Sequence, residues 1–473
     1  MLFNSFSFLL FFVIVTTGYF ALPHRFRWLL LLVASCVFYM FFIPVYILIL
    51  GGTIVIDYFA GIWIEDTQDP RKKKRYLTMS VVSVCAVLFV FKYFNFFAEN
   101  VAAVAAALHW NLSMSALRII LPIGLSFHTF QSLSYVIEVY RGKQKAERHF
   151  GIYALYVMYF PQLVAGPIER PQNLLHQFHE RKYFDAERIQ SGLTLALWGL
   201  FKKVVVADSL SIYVDAVYGA SSHHSGATLL LATYFFAFTI YCDFSGYTDI
   251  ARGVSRVYGI ELMKNFDAPY FSLSIAEFWS RWHISLSTWF RDYVYIPLGG
   301  NRVTLGRNFA NLFFVFMLSG LWHGANWTFI VWGALHGAYL ICGRVLARVR
   351  ERYGLRSPAQ GGWLRRSWAL FVTFHLVLIA WVFFRARDLT TAFDIVRRMA
   401  VPTGRIFSDP VLAQGALGIA IVISLDLIYR RAGFWDRLKP FPLGIRYANA
   451  LGLFFGIVLF GVQNGSQFIY FQF

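Results

Sequence analysis

Cysteine is scarce in this chain. Cys36, Cys85, Cys242 and Cys342 are the only four in 473 residues, and no two share a C-x-x-C spacing. That argues against a disulfide framework and a zinc site, and leaves small, buried, apolar thiols as the expectation. Charge is also in short supply. Only 14% of residues are charged, where a soluble protein carries about a quarter. Acidic residues are the rarer kind, 25 against 43 basic, so the net charge is +18. Also missing are G-x-S-x-G, H-E-x-x-H, a P-loop and G-x-G-x-x-G, which speaks against serine hydrolysis and ATP-driven transport.

What fills the space is apolar. Hydrophobic residues make up 58% of the chain and the mean hydropathy is +0.54. Runs such as Phe6–Phe20, Trp28–Leu50, Thr78–Phe97, Val411–Ile428 and Leu451–Val462 fit spans of ~20 residues. An all-α polytopic membrane protein is expected, with roughly eleven such segments by that length criterion. The basic residues cluster in short stretches between spans, at Arg71–Arg75, Arg141–His149, Arg344–Arg366 and Arg430–Arg446. That is the positive-inside pattern and not one basic face for nucleic acid.

The same rule orients the chain. His24, Arg25 and Arg27 follow the first apolar run, which places the N-terminus outside. The run lacks a basic leader and a small-residue cleavage site, so it reads as a retained helix. Counting from Arg430–Arg446 puts the C-terminus outside too. Arg385, Arg387, Arg397 and Arg398 then fall on the wrong side, a conflict that an interfacial or re-entrant segment would resolve.

The whole of 1–473 reads as one integral-membrane domain, with a cytoplasmic loop at 348–366 and an aromatic tail at 463–473. Two stretches break the hydropathy pattern. "YFPQLVAGPIERP" (159–171) carries three prolines, and irregular backbone at membrane depth needs protein or a water-filled cavity around it. It either re-enters the membrane or lies at its surface. "SIAEFWSRWHISLSTWFRDYVYIPLGGNR" (274–302) mixes Trp and Tyr with Arg281, His283, Arg291 and Asp292, a blend suited to an interfacial or re-entrant segment.

Several polar groups sit where lipid forbids them. His128, Gln131, Tyr135 and Glu138 share a helical stripe about 80° wide, as an interhelical hydrogen-bond seam or a substrate contact. Asp243 and Asp249 raise the same alternatives. His323 lies in "SGLWHGANWTFIVWGALHG" (319–337), between Gly320–Gly324 and Gly333–Gly337 pairs that let helices approach closely. Asn326 falls one turn away. His323 is either a satisfied core histidine or a base able to take a hydroxyl proton. On one straight helix His336 would sit roughly 20 Å further along and roughly 220° round from His323, so the two would not share a reacting atom.

"FWSRWHISLSTWFRDYVYIPLGG" followed by "LSGLWHGANWTFIVWGALHG", with "LPIGLSFHTFQSLSYVIEVYRG", "LVAGPIERP" and "YCDFSGYTDIARG", resembles the membrane-bound O-acyltransferase family. The likeness is to its bacterial polysaccharide branch, which includes the membrane subunit of alginate O-acetylation, and runs nearly end to end. It implies a multi-helix fold around a funnel or tunnel, in the bacterial cytoplasmic membrane. It implies acetyl transfer from cytoplasmic acetyl-CoA, a substrate and not a bound cofactor, toward an exported or cell-wall polysaccharide. A periplasmic or extracellular transferase would complete the transfer. No metal and no nucleic acid enter that picture; membrane lipids do. The resemblance matches His323 to the family's catalytic histidine and His283 to a second position in the catalytic region. Asn326 and His336 are supporting candidates, and Arg281 and Arg291 are candidates for the donor's phosphates. Tyr470, the one hydroxyl in "FIYFQF" (468–473), would carry the acyl group as a phenolic ester; the alternative is an interfacial aromatic anchor. Two rival functions stay open at this point: a transporter or channel without acyl chemistry, and an acyltransferase acting on lipid or protein.

Overall fold

The computed structural model describes residues 1–110, 121–429, 438–462 and 468. Every regular element among the described residues is helical. Among the described residues, seven helices are long and apolar enough to cross a membrane: Tyr46–Asp66, Pro70–Ala107, Gly226–Val257, Trp327–Arg352, Trp363–Arg385, Val411–Ile428 and Leu443–Phe460. The protein is a multi-pass membrane protein. The other apolar runs fall on shorter or more polar helices. Trp28–Leu50, read as one span, is two helices, α2 (His24–Met40) and α3 (Tyr46–Asp66), because Pro44 lies in the turn between them and cannot continue a helix.

The chain divides into two compact units. The first comprises Met1–Leu193 with Ile250–Met263, and the second Thr194–Asp249 with Lys264–Phe473.

In the first unit, α1 (Phe6–Ala21) is followed by α2 and α3. Asp69 then caps α4 (Pro70–Leu88), accepting from the Arg71 N–H at 2.8 Å, with proline at the first helical position where its missing N–H costs nothing. A π-helical turn at Phe89–Tyr93 leads into α5 (Phe94–Ala107). The polar stripe lies on α6 (Leu125–Tyr140), where all four of its residues are buried. The seam reading holds for three of them. Gln131 Nε2 donates to the Tyr156 carbonyl, Tyr135 Oη accepts from the Glu147 N–H at 2.9 Å, and Glu138 pairs with Arg141 at 3.2 Å and Gln172 at 2.8 Å. His128 is the exception: neither ring nitrogen has a hydrogen-bond partner among the described residues.

The 159–171 segment is irregular backbone enclosed by protein, the setting that such backbone needs. It runs from α7 (Phe150–Met158) to α8 (Pro171–His179) with Tyr159–Glu169 buried inside the unit. Side chains satisfy polar groups in and beside it. Ser35 Oγ accepts from the Phe160 N–H at 3.0 Å, and Glu169 accepts from Met263 N at 2.5 Å and Asn173 Nδ2 at 2.6 Å.

In the second unit, α9 (Ala186–Leu200), which begins in the first unit, passes through a π-helical turn at Phe201–Ala207 into α10 (Asp208–Gly219). The long α11 (Gly226–Val257) also gives residues to both units. The 274–302 stretch forms two short helices, α12 (Ile275–Arg281) and α13 (Ile284–Phe290), and a π-helical turn at Arg291–Tyr295. Then come α14 (Leu305–His323), α15 (Trp327–Arg352) and α16 (Trp363–Arg385), so the expected 348–366 loop narrows to 353–362. Of the misplaced arginines, Arg385 and Arg387 precede α17 (Leu389–Met399) and Arg397 and Arg398 lie in its last turn; it is an amphipathic helix of 11 residues and so too short to span. α18 (Val411–Tyr429) and α19 (Leu443–Phe460) complete the described helices. Of the four cysteines only Cys242 is buried, while Cys85 and Cys342 are exposed. The expectation of buried thiols fails for these two because they lie on outward helix faces.

Candidate active site

His323 and His336 do not lie on one straight helix. The chain breaks at Gly324–Asn326 and returns, so α14 and α15 form an antiparallel hairpin, with Gly333 against Phe316 and Gly337 against Phe313. A Cβ on Gly320 would stand 2.2 Å from the Phe329 carbonyl oxygen, and one on Gly333 2.2 Å from that of Phe316. The two glycine pairs are therefore the two sides of one contact. Asn326 starts the return helix: its side-chain oxygen accepts from Thr328 N at 3.0 Å, and its amide donates to the Arg387 carbonyl at 3.3 Å. It is a helix cap and not, as the spacing suggested, a neighbour of His323 on one helical face.

The hairpin brings both histidines to one indole. Ring centroids of His323 and Trp332 are 5.0 Å apart, and those of Trp332 and His336 also 5.0 Å. The separation expected from a straight helix is overturned by the turn at Gly324. Both imidazoles are buried, His336 completely. Trp279 of α12 donates its indole N–H to His336 Nδ1 at 3.2 Å, so the remaining hydrogen of the neutral ring is on Nε2.

His283 joins the same cluster through Trp322, whose centroid is 6.3 Å from His283 and 4.8 Å from His323. Phe384 closes over His323 at 5.4 Å, and Phe244 of α11 meets His283 edge-on at 4.6 Å. His283 stands between α12 and α13 with φ 42° and ψ 55°, a left-handed backbone that costs a non-glycine residue about 1–2 kcal/mol and that clusters at functional sites. Asn265 holds it there. The Asn265 backbone carbonyl accepts from Ile284 N at 2.9 Å. Its side-chain oxygen takes Ser285 N at 3.1 Å, Ser285 Oγ at 2.9 Å and His283 Nδ1 at 3.2 Å. This network puts the hydrogen on Nδ1 and makes Nε2 an acceptor. Burial pushes the His283 imidazole below its ordinary value, to about 3, so the ring is neutral at physiological pH.

Beside this cluster lies a cavity of about 430 Å³, lined by Trp279, Phe316 and Ser319 at one part and by Arg291, Tyr295 and Arg344 at another. Of the two arginines expected to meet a donor, Arg291 lines it. Arg281 does not: it is paired with Glu277 at 2.7 Å. Arg344, bonded to Asn308 and 3.3 Å from Tyr295 Oη, was not singled out from the sequence.

Asp243 and Asp249 are held by a lysine pair that also went unremarked. Lys203 reaches Asp243 at 2.7 Å and Asp208 at 2.8 Å, and Lys202 reaches Asp249 at 2.6 Å. The signal was there, two adjacent lysines in "GLFKKVVVAD" (199–208) after an apolar helix. Tyr470 lies outside the described residues. Phe468, two positions before it, is buried with its ring 4.4 Å from Lys203 Nζ and 4.9 Å from the Tyr247 ring.

The model of the membrane-bound O-acyltransferase family matches residues 149–384, a range containing His283, His323 and His336. A probable alginate O-acetylase of Pseudomonas putida is 40% identical over the full length of both chains.

The chain belongs to the membrane-bound O-acyltransferase family.

It is accordingly an O-acyltransferase. Similar relatives include a probable alginate O-acetylase of Pseudomonas aeruginosa, 40% identical over 84% of this chain and 75% of the relative. A peptidoglycan O-acetyltransferase of Helicobacter pylori is 36% identical over 79% of this chain and 73% of its own length.

Proposed function

We propose that this acyltransferase moves acetyl groups from cytoplasmic acetyl-CoA across the bacterial inner membrane for O-acetylation of an exported or cell-wall polysaccharide. The relatives' names support that acceptor class. The observation that carries the chemistry is the contact of Trp322 with both His283 and His323, which brings together two histidines 40 positions apart in the sequence. In this reading the whole chain is one catalytic domain. Its helices, with further spans toward eleven, surround a tunnel, both termini lie outside, and 353–362 faces the cytoplasm.

His323 acts as general base. It takes the proton of an acceptor hydroxyl as that oxygen attacks the thioester carbonyl; the C–S bond breaks and the CoA thiolate recovers the proton from the imidazolium. His283, neutral with Nε2 as acceptor, suits orientation of the donor, for instance by accepting one of its amide hydrogens. That tautomer has no N–H on Nε2 to offer a developing oxyanion, so orientation is the role assigned to it. Arg291, although paired with the adjacent Asp292 at 2.8 Å, lines the apolar cavity and with Arg344 meets the donor's phosphates, whereas Arg281 does not line it. His336 and Asn326 keep the hairpin in register.

The first acceptor is Tyr470, which passes acetyl on to a partner transferase outside. The burial of Phe468 supports this relay. Tyr247, which packs on it, is one turn of α11 from Phe244, which packs on His283. The test is acetyl transfer from radiolabelled acetyl-CoA in sealed membranes, comparing native protein with His323→Ala and Tyr470→Phe at equal abundance. Loss of label on protein and polymer in the first, and on polymer in the second, is expected. Undiminished polymer label in Tyr470→Phe overturns the relay, and in His323→Ala it overturns the assignment of the base.

A further inference from the structure

The outward face of α4 carries a groove of about 650 Å³ lined by Arg71, Lys74, Arg75, Thr78, Met79, Val82 and Ser83. These positions follow a helical stripe, and the opposite stripe, Ser80, Val84 and Leu88, is the one buried. Ser80 fixes that inward face by donating to Asp57 Oδ1 at 2.6 Å. The groove is graded along its length. Three cations occupy the first turns, and an apolar strip with Met79 38% and Val82 57% exposed continues for roughly 18 Å in all at 1.5 Å per residue.

The cations have no acidic partner among the described residues. Nearby carboxylates are engaged elsewhere: Asp69 caps the helix through Arg71 N, and Glu65 and Asp66 hold Arg148 at 2.7 and 2.6 Å. This trio presents its charge to whatever fills the groove. An anion alone would leave the Met79–Val82 strip uncovered, and a neutral lipid would leave three cations unmatched. Only a ligand with a phosphate at one end and hydrocarbon at the other satisfies both parts.

We propose that this face of α4 binds an anionic phospholipid, its headgroup phosphate on Arg71, Lys74 and Arg75 and an acyl chain along Met79 and Val82. Each basic residue near a membrane surface adds about 1 kcal/mol of attraction to anionic lipid. Neutralising three should therefore weaken binding on the order of 100-fold. None of these residues belongs to the histidine cluster, so the inference stands independently of the proposed reaction.

The test is native mass spectrometry of the full-length protein released from detergent, with phosphatidylglycerol or phosphatidylcholine added. Native protein should retain phosphatidylglycerol in preference to phosphatidylcholine. Arg71→Gln/Lys74→Gln/Arg75→Gln should lose that preference with an unchanged thermal midpoint, and Arg71→Lys/Lys74→Arg/Arg75→Lys should keep it. Equal phosphatidylglycerol retention by the glutamine variant overturns the site. Displacement of the lipid by millimolar glycerol phosphate overturns the lipid assignment in favour of a soluble anion.

Discussion

Asn265 holds His283 by both ends of its own residue. The backbone carbonyl accepts from Ile284 N at 2.9 Å while the side-chain oxygen accepts from His283 Nδ1 at 3.2 Å. One residue thus stabilises a left-handed turn and selects the tautomer of the ring that the turn carries.

Asn265→Ala should therefore damage catalysis through His283 without touching it. Three buried donors lose their acceptor, at about 1–3 kcal/mol for each group left unsatisfied. We expect acetyl transfer to fall roughly 10-fold to 100-fold, in proportion to a loss of that size, with KM for acetyl-CoA rising. Asn265→Gln, whose longer amide misses the turn, should not restore it. Steady-state kinetics in membranes decides: an unchanged KM would place His283 away from the donor.

The glycine contact makes a paired prediction. Gly333→Ala drives a Cβ to 2.2 Å from the Phe316 carbonyl, and backbone cannot rotate aside, so at least the 1–3 kcal/mol typical of overpacking is expected. Gly343, on the same helix, has nothing within 4 Å of its Cβ position, and alanine there should stabilise by up to about 1 kcal/mol. Thermal midpoints in detergent check both signs.

Lys203 binds two buried carboxylates. Lys203→Met leaves Asp208 and Asp243 together without their cation, and removing one partner of a buried ion pair costs about 3–5 kcal/mol. Restoring neutrality with Asp208→Asn and Asp243→Asn should recover much of the lost midpoint. Failure of the triple variant to exceed the single one would show that packing by the lysine stem dominates.

His283 gives a pH dependence. Its folded pKa of about 3 lies below the unfolded value near 6.5, so the folded state prefers the neutral ring. The associated stability is complete above pH 6.5 and declines as pH falls toward 3. The midpoint difference between native protein and His283→Asn should shrink from pH 7 to pH 4. A difference constant over that range would mean that the ring titrates normally in the fold.

Much of this was legible from sequence within single elements. The α6 stripe is written in local spacing, and the need for an interfacial or re-entrant segment near Arg397 in the placement of charge. The motif resemblance pointed to the family and to His283 and His323. What spacing could not reveal is which element faces which. "HGAN" reads equally well as a continuing helix, so the return at Gly324, which brings His336 to the same indole as His323, was lost. Asn265 looked like any loop residue, since its value lies in groups about 20 positions away. Lys202 and Lys203 find their carboxylates about 40 positions further on, a pairing that depends on how α11 packs.

The burial of Phe468 also governs how this enzyme should be handled at the bench. Any handle inserted beside Phe468 would act on a ring wedged between Lys203 and Tyr247, and would tend to pull that ring from its seat. Purified material would then look intact yet report a wounded enzyme. The exposed turn at Gly354–Arg356 is the safer place for an epitope.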